Sequence, residues 1–154
     1  MRDRFDELRA AEHVSPADLE ALWGALPTVR PDEILGSWRG GDFAAAHPLS
    51  EVLKKLDWHG KRFDSTLDAH PLICRDADGA LYSNTKAAGG RSASLWPVGV
   101  LGSAEVTATM VYDALPVFDH FKRVDDDTLM GRMSGKLEEV FVITDPYYFW
   151  LERE

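Results

Sequence analysis

Hydrophobic residues recur along this chain with two periods, and the change of period divides it. Leu19, Leu22, Trp23 and Leu26 stand at i, i+3, i+4 and i+7, the stripe of an amphipathic helix. Ser15, Pro16 and Asp18 supply its start signal: an N-cap hydroxyl, a proline at the first helical position and a carboxylate in the first turn. Pro27 and Pro31 end it. Phe5 and Leu8 share one side of a shorter helix predicted over residues 2–12. After His47-Pro48, a third stripe of Leu49, Val52, Leu53 and Leu56 repeats the helical spacing.

The rest of the chain reads as strands. Residues 34–43 hold Trp38 between glycines, and glycines beside a large ring let a backbone or a ligand approach it closely. Trp58–Phe63 resumes strand character. Pro71–Arg75 and Ala80–Ser83 flank Asp76-Ala77-Asp78-Gly79, a strong hairpin turn signal. From Glu105 the alternation puts Val106, Ala108, Met110 and Tyr112 on one face. Val117–Val124 and Thr128–Met133 pair across the Asp125-Asp126-Asp127 turn. Ser134-Gly135-Lys136 is a tight turn, and Lys136–Thr144 has room for another strand. The closing stretch places Tyr147, Phe149 and Leu151 on one face and Tyr148 and Trp150 on the other. Residues 86–104 differ: glycines, serines and Pro97 interrupt them and no period emerges. They read as a long loop, of the kind that often serves as a lid or binding loop.

About eight to ten short strands joined by short turns favour an antiparallel sheet, and closure removes its edges. The expected fold is mainly β: a small antiparallel barrel, lipocalin-like or calycin-like. Residues 1–30 form a helical segment packed on it, and residues 31–154 form the single barrel domain. Such a barrel can hold one small ligand.

Gly36-Ser37-Trp38-Arg39-Gly40 resembles the signature of the GXWXG protein family. Three later stretches resemble the domain of unknown function that usually follows it. They run from Met110-Val111-Tyr112-Asp113 through Pro116, from Asp119-His120-Phe121 to Gly131-Arg132-Met133, and from Tyr148 to Arg153. The resemblance covers about residues 30–154, with a GXWXG half at 31–85 and a C-terminal half at 105–154. It implies a small, bacterial-type or fungal-type, β-rich protein and carries no particular reaction with it.

Bulk properties narrow the partners. A chain of 154 residues with 45% hydrophobic and 28% charged residues fits one soluble domain. A net charge of −9 repels phosphate backbones and anionic lipid surfaces, which disfavours nucleic-acid and membrane partners. The lone Cys74 forbids a disulfide framework. The charged N-terminus lacks the apolar stretch of a signal peptide, so a cytoplasmic protein is expected. A homodimer stays open.

The chain has no Gly-x-Gly-x-x-Gly, phosphate loop or Gly-x-Ser-x-Gly, so no nucleotide cofactor or catalytic triad is expected. None of the five histidines forms a His-x-His or His-x-x-x-His pair, and no metal site is assigned; His59 and His70 with Asp64 and Asp68 are the nearest approach to one. Acid–base chemistry remains. Tyr112, Asp113 and Asp119 gather a hydroxyl and two carboxylates around one turn, and His47 stands at a helix start near a barrel mouth. These four are the candidate proton carriers: burial in an apolar barrel raises the pKa of a tyrosine or carboxylate, and His47 can serve as a general base. Asp119 on an apolar face needs a partner, which Lys61, Arg62 or Arg39 can supply. Trp38, Arg39, Trp58, Lys61, Phe63, Tyr82, Met110 and Phe121 are the candidate ligand contacts.

Three readings follow. The first is a barrel that binds a small, mostly apolar molecule with a carbonyl or carboxyl group, as a cofactor-independent isomerase, hydratase or lyase if it is an enzyme. The second is a non-catalytic carrier or sensor, including a haem carrier with His47, His59 or His120 as axial ligand. The third is a structural or interaction protein whose barrel is filled by its own side chains.

Overall fold

A computed structural model describes residues 1–141 and 145–154. Two helices lead the chain, α1 (Arg2–Ala10) and α2 (Pro16–Ala25), and a 3-10 turn at Pro31–Glu33 follows them. The Ser15 hydroxyl accepts the Asp18 amide, so the N-cap read from the sequence forms. Among the described residues nine strands follow: β1 (Gly36–Asp42), β2 (Trp58–Ser65), β3 (Asp68–Arg75), β4 (Leu81–Ser83), β5 (Ala93–Gly99), β6 (Val106–Tyr112), β7 (Val117–Asp125), β8 (Thr128–Gly135) and β9 (Tyr147–Arg153). Helix α3 (Pro48–Lys55) lies between β1 and β2, and α4 (Leu137–Phe141) between β8 and β9. None of the described helices is long and apolar enough to cross a membrane.

All pairings are antiparallel, in the order β2-β1-β9-β8-β7-β6-β5-β3-β4, and β2 also pairs with β3. That last pairing closes eight strands into a barrel and leaves β4 attached outside, along β3. The fold is therefore the small antiparallel barrel expected from the strand pattern. Alternation sorts the core into two layers. Trp38, Phe63, Met110, Phe121, Phe149 and Leu151 fill the interior. On the outside, Met130, Tyr148 and Trp150 meet Phe5, Leu8, Leu19, Leu22 and Trp23 of the two N-terminal helices. Cys74 is buried in a small satellite cluster with Leu72 and Ala88, and burial pushes its thiol pKa up.

The two ends of the barrel close differently. Near Pro27–Leu35, Trp38 is 1% exposed and its indole N–H donates to the Ile34 carbonyl at 2.8 Å. At the other end, α3 and α4 lay Leu49 and Leu137 against the interior cluster. The signature glycines serve this packing. Gly36 has φ +118°, a backbone region that strongly favours glycine. A Cβ at Gly40 would overlap the Trp58 ring, and one at Gly41 would overlap the Trp150 ring. Indoles thus lie directly against both faces of β1.

Two expectations are corrected. Residues 86–104 are not one long loop, because Ala93–Gly99 pairs with β6 residue by residue from Ala93↔Tyr112 to Gly99↔Val106. Ala93 and Leu95 face the core, while Trp96 is half exposed and Pro97 and Gly99 break the alternation. The periodic part is too short to read locally, and the backbone partner supplies what the side chains do not. This leaves no continuous lid segment. The strand expected over Lys136–Thr144 begins as α4, with Gly135 turning the chain at φ +108°; positions 142–144 lie outside the described residues.

Replacing Gly40 or Gly41 by alanine should destabilise the fold by about 1–3 kcal/mol each, the usual range for overpacking. Urea unfolding measures it, and a Gly41→Ala protein as stable as the parent would contradict the close approach of Trp150.

Candidate functional site

Three strands bring three polar side chains into the apolar interior. Lys61 of β2 points inward while Arg62 points to solvent beside Asp64, as period-two alternation requires. Asp119 of β7 shares the inner face with Val117 and Phe121, and Tyr112 ends β6 on that face. The Asp119 carboxylate accepts from Lys61 Nζ at 2.7 Å and from the Tyr112 hydroxyl at 3.1 Å, both through Oδ2. Lys61 Nζ also donates to the Pro71 carbonyl at 3.3 Å and stands 5.0 Å from the Phe149 ring centre and 5.7 Å from that of Trp58. Asp119 is 0% and Lys61 3% exposed.

One oxygen is left over. Asp119 Oδ1 is buried and has no hydrogen-bond partner among the described residues. A buried polar atom without a partner costs about 1–3 kcal/mol, and more when charged, so native structures rarely keep one without a reason. A carboxylate oxygen, an ammonium and a phenol sit together here, and one acceptor position is uncommitted.

Two grooves lie near the cluster's neighbours. The Tyr147 hydroxyl donates to Asp42 at 3.0 Å, and its ring lies 5.0 Å from that of His47. A groove of about 270 Å³ beneath α3 is lined by Asp42, Ser50, Leu53, Trp58 and Tyr147. Trp58 therefore faces the groove on one side and Lys61 on the other. A more apolar groove of about 380 Å³ lies on the flank, between α2, Phe43, His47, Tyr147 and Tyr148.

The candidates from the sequence divide accordingly. Tyr112, Asp119, Lys61, Trp58, Phe63, Met110 and Phe121 meet in the interior, and Trp38 plugs its far end. Four do not belong there. Asp113 is exposed in the turn after β6, where its amide donates to the Ser92 carbonyl. Arg39 lies on the outer face, paired with Glu152 and beside the Trp150 ring. Tyr82 is 43% exposed on β4, outside the barrel. His47 caps α3: its Nδ1 accepts the Leu49 amide at 3.2 Å and its Nε2 meets the Asp145 carbonyl at 3.1 Å. It lines the flank groove and does not contact Asp119. Tyr147 and Asp42 went unremarked as chemistry, although an inward tyrosine beside Phe149 and an aspartate directly after two glycines were visible in the sequence.

Other histidines have other partners. His59 meets Glu154 at 2.6 Å and Arg75 at 3.2 Å. His70 meets Asp64 at 3.3 Å and Asp68 at 3.0 Å, and ligand atoms of these three lie within 4.8 Å of one another. Both aspartates are exposed at the β2–β3 turn, where acidic groups are common without an ion.

Burial dominates the tyrosine chemistry. Desolvation first, then the field and hydrogen bond of Asp119, push the Tyr112 hydroxyl well above its ordinary pKa. Burial and Asp42 do the same at Tyr147, and burial and Glu20 at Tyr148. Tyr112 thus remains a donor throughout the neutral range.

What the fold and interior define is a small closed β-barrel protein with a buried lysine–aspartate–tyrosine cluster. Its relatives supply the rest. The family model described as GXWXG protein matches residues 21–79, and that of a domain of unknown function, DUF4334, matches residues 91–153. A crystal structure of a protein from Thermomonospora curvata is 38% identical, covering 99% of this chain and 97% of that one, with a TM-score of 0.86. The chain belongs to the GXWXG family, with the DUF4334 domain as its second part. No curated protein matches it. The two matched segments are not separate bodies: the first supplies β1–β3, the second β5–β9, and β1–β9 and β3–β5 pair across the seams between them.

Two outcomes follow from this chemistry. Replacing Lys61 by methionine alone should cost about 3–5 kcal/mol, because it strands a buried carboxylate, whereas Lys61→Met with Asp119→Leu should recover most of the loss. Chemical denaturation of both variants checks it, and a double variant no better than the single one would contradict it. The tyrosines also make stability fall at alkaline pH. Their folded pKa values lie above the unfolded value of about 10, so the contribution is complete below that pH. It is lost as pH rises from there towards the folded values. Denaturation midpoints should drop beyond about pH 10, and Tyr112→Phe should lessen the drop.

Proposed function

We propose that this protein binds a small, mostly apolar molecule carrying a carbonyl or carboxyl group inside its barrel, and catalyses cofactor-independent proton transfer on it. The observation that carries this reading is Asp119 Oδ1, a buried carboxylate oxygen with no partner among the described residues. Lys61 and Tyr112 are donors that polarise a substrate oxygen, and Asp119 takes a proton from the carbon next to it and returns it elsewhere. Such a step is the core of a double-bond isomerisation, a hydration or an elimination. The aromatic walls of Phe63, Phe121 and Phe149 suit an apolar body, as ligand sites usually do. Trp58 and the groove beneath α3 mark the entrance, so binding calls for α3 to shift.

One observation favours the filled-barrel reading instead. The interior rings touch one another, with Phe63–Phe121 centres 5.5 Å apart and Phe121–Phe149 centres 6.2 Å apart. The grooves described above lie at the mouth and on the flank. On that reading the polar cluster is a structural ion pair.

Proton transfer next to a carbonyl incorporates deuterium from heavy water. Incubating the protein with cyclohexanone or a β,γ-unsaturated cyclic ketone in D2O should give α-carbon exchange visible by NMR. Asp119→Asn should slow it by about 10²–10⁴-fold, the usual contribution of a general base. Saturable binding without exchange would leave a carrier, and neither binding nor exchange across a ketone and carboxylic acid panel would leave the filled barrel.

A further inference from the structure

A second polar constellation lies on the outside of the barrel, back to back with the first. The cross-strand register sets Trp96, Thr109, His120, Arg132 and Tyr148 in one row over five adjacent strands. Their side chains share the outer face, and Asp119 lies on the inner face of the same strand as His120. A groove of about 450 Å³ lies over His120 and Arg132 of this row, with Ser134 and Lys136 as further polar lining and Val98 and Phe118 as apolar lining.

The hydrogen bond shared by Thr109 and His120 sets which nitrogen of His120 is available. The Thr109 hydroxyl donates to the Thr107 carbonyl at 3.1 Å. With the proton donated to that carbonyl, Thr109 Oγ1 accepts from His120 Nδ1 at 2.7 Å and Nδ1 carries the ring proton, which is the tautomer this site requires. Nε2 then presents a lone pair, and it has no hydrogen-bond partner among the described residues. His120 is 3% exposed. Burial, with Arg132 adding to it against the field of Asp119, holds the imidazole below its ordinary pKa and keeps it neutral. Arg132 uses Nε on the Tyr148 hydroxyl at 3.3 Å, with Glu20 at 3.8 Å from the same nitrogen. Its terminal nitrogens make no hydrogen bond to a described residue, which leaves their fork of donors for an oxyanion.

We propose that this groove is a second ligand site, distinct from the interior, for a small hydroxy acid: an apolar body whose hydroxyl donates to His120 Nε2 and whose carboxylate is taken by Arg132. The pairing is complementary in each part. A neutral imidazole acceptor needs a donor, a guanidinium needs an anion, and Phe118 and Val98 need apolar surface. The local field matters here because the chain as a whole carries −9 and would otherwise repel an acid.

The probe is 3-hydroxybenzoate, which carries all three features. Titrated into protein labelled with 15N in its histidines, it should shift the His120 imidazole resonances saturably. Benzoate lacks the donor for His120 and phenol lacks the anion for Arg132, so each should bind about tenfold or more weakly, as expected for hydrogen bonds with a charged or buried partner. His120→Phe and Arg132→Met should each weaken 3-hydroxybenzoate by a similar factor, while Tyr112→Phe in the barrel interior should leave its affinity within about twofold. The ligand comparison holds even if a variant folds poorly. Equal affinity for all three probes, no saturable shift at His120, or loss of binding through Tyr112→Phe but not Arg132→Met would each overturn the proposal. None of these outcomes bears on deuterium exchange in the interior.

Discussion

Both seams that hold β1 in the barrel depend on the absence of side chains at Gly40 and Gly41. β1 joins β2 on one side and β9 on the other, so the first and last parts of the sheet meet through it. Trp58 and Trp150 lie where Cβ atoms would otherwise stand. Each indole then has a second task. Trp58 packs edge-on to Phe149 and faces Lys61, and Trp150 lies beneath the guanidinium of Arg9 at 3.8 Å and anchors α1 and α2 outside. The family signature is in this sense a packing rule: a glycine in a rare backbone conformation, a tryptophan that plugs one end, and a glycine that admits a second tryptophan.

A barrel closed in this way makes an interior where one ion pair has large consequences. In the low dielectric between Phe121 and Phe149, Lys61 and Asp119 must be partnered, and the Pro71 carbonyl and Tyr112 complete most of the set. The set is not complete, and the uncommitted oxygen is why the interior is the candidate site. The same strand turns His120 outward one residue later, so β7 carries polar chemistry on both faces. Alternation along a strand separates the two environments by the thickness of the sheet.

The candidate site was partly legible. An aspartate between Val117 and Phe121 on an apolar face demanded a cation, and inward alternation favoured Lys61 over Arg62 once the register of β2 was known. Tyr112 followed from its place beside Met110. Asp113 failed for the opposite reason: adjacency in sequence to Tyr112 puts it beyond the strand end, in water. His47 was legible as a helix start and no further. Tyr82 reads as an aromatic strand residue, yet β4 never enters the barrel. Arg39 alternates outward from Trp38, where Glu152 takes it.

The sequence by itself determined the elements whose signals are local. Ser15-Pro16-Ala17-Asp18 can cap only a helix, Asp78-Gly79 can only turn, and the two faces of Tyr147–Leu151 follow from alternation alone. It also determined that the fold is mainly β, because short turns between short strands leave few other solutions. Tertiary structure decided what depends on partners far away in the chain. β5 exists as a strand through β6, since Pro97 and Gly99 erase its own periodicity. Closure depends on β1 meeting β9, and the union of Lys61 with Asp119 depends on that closure, across a sequence separation of 58. Local propensity is a property of a few neighbouring residues, whereas a buried ion pair exists only once the sheet has brought its two halves around to the same interior.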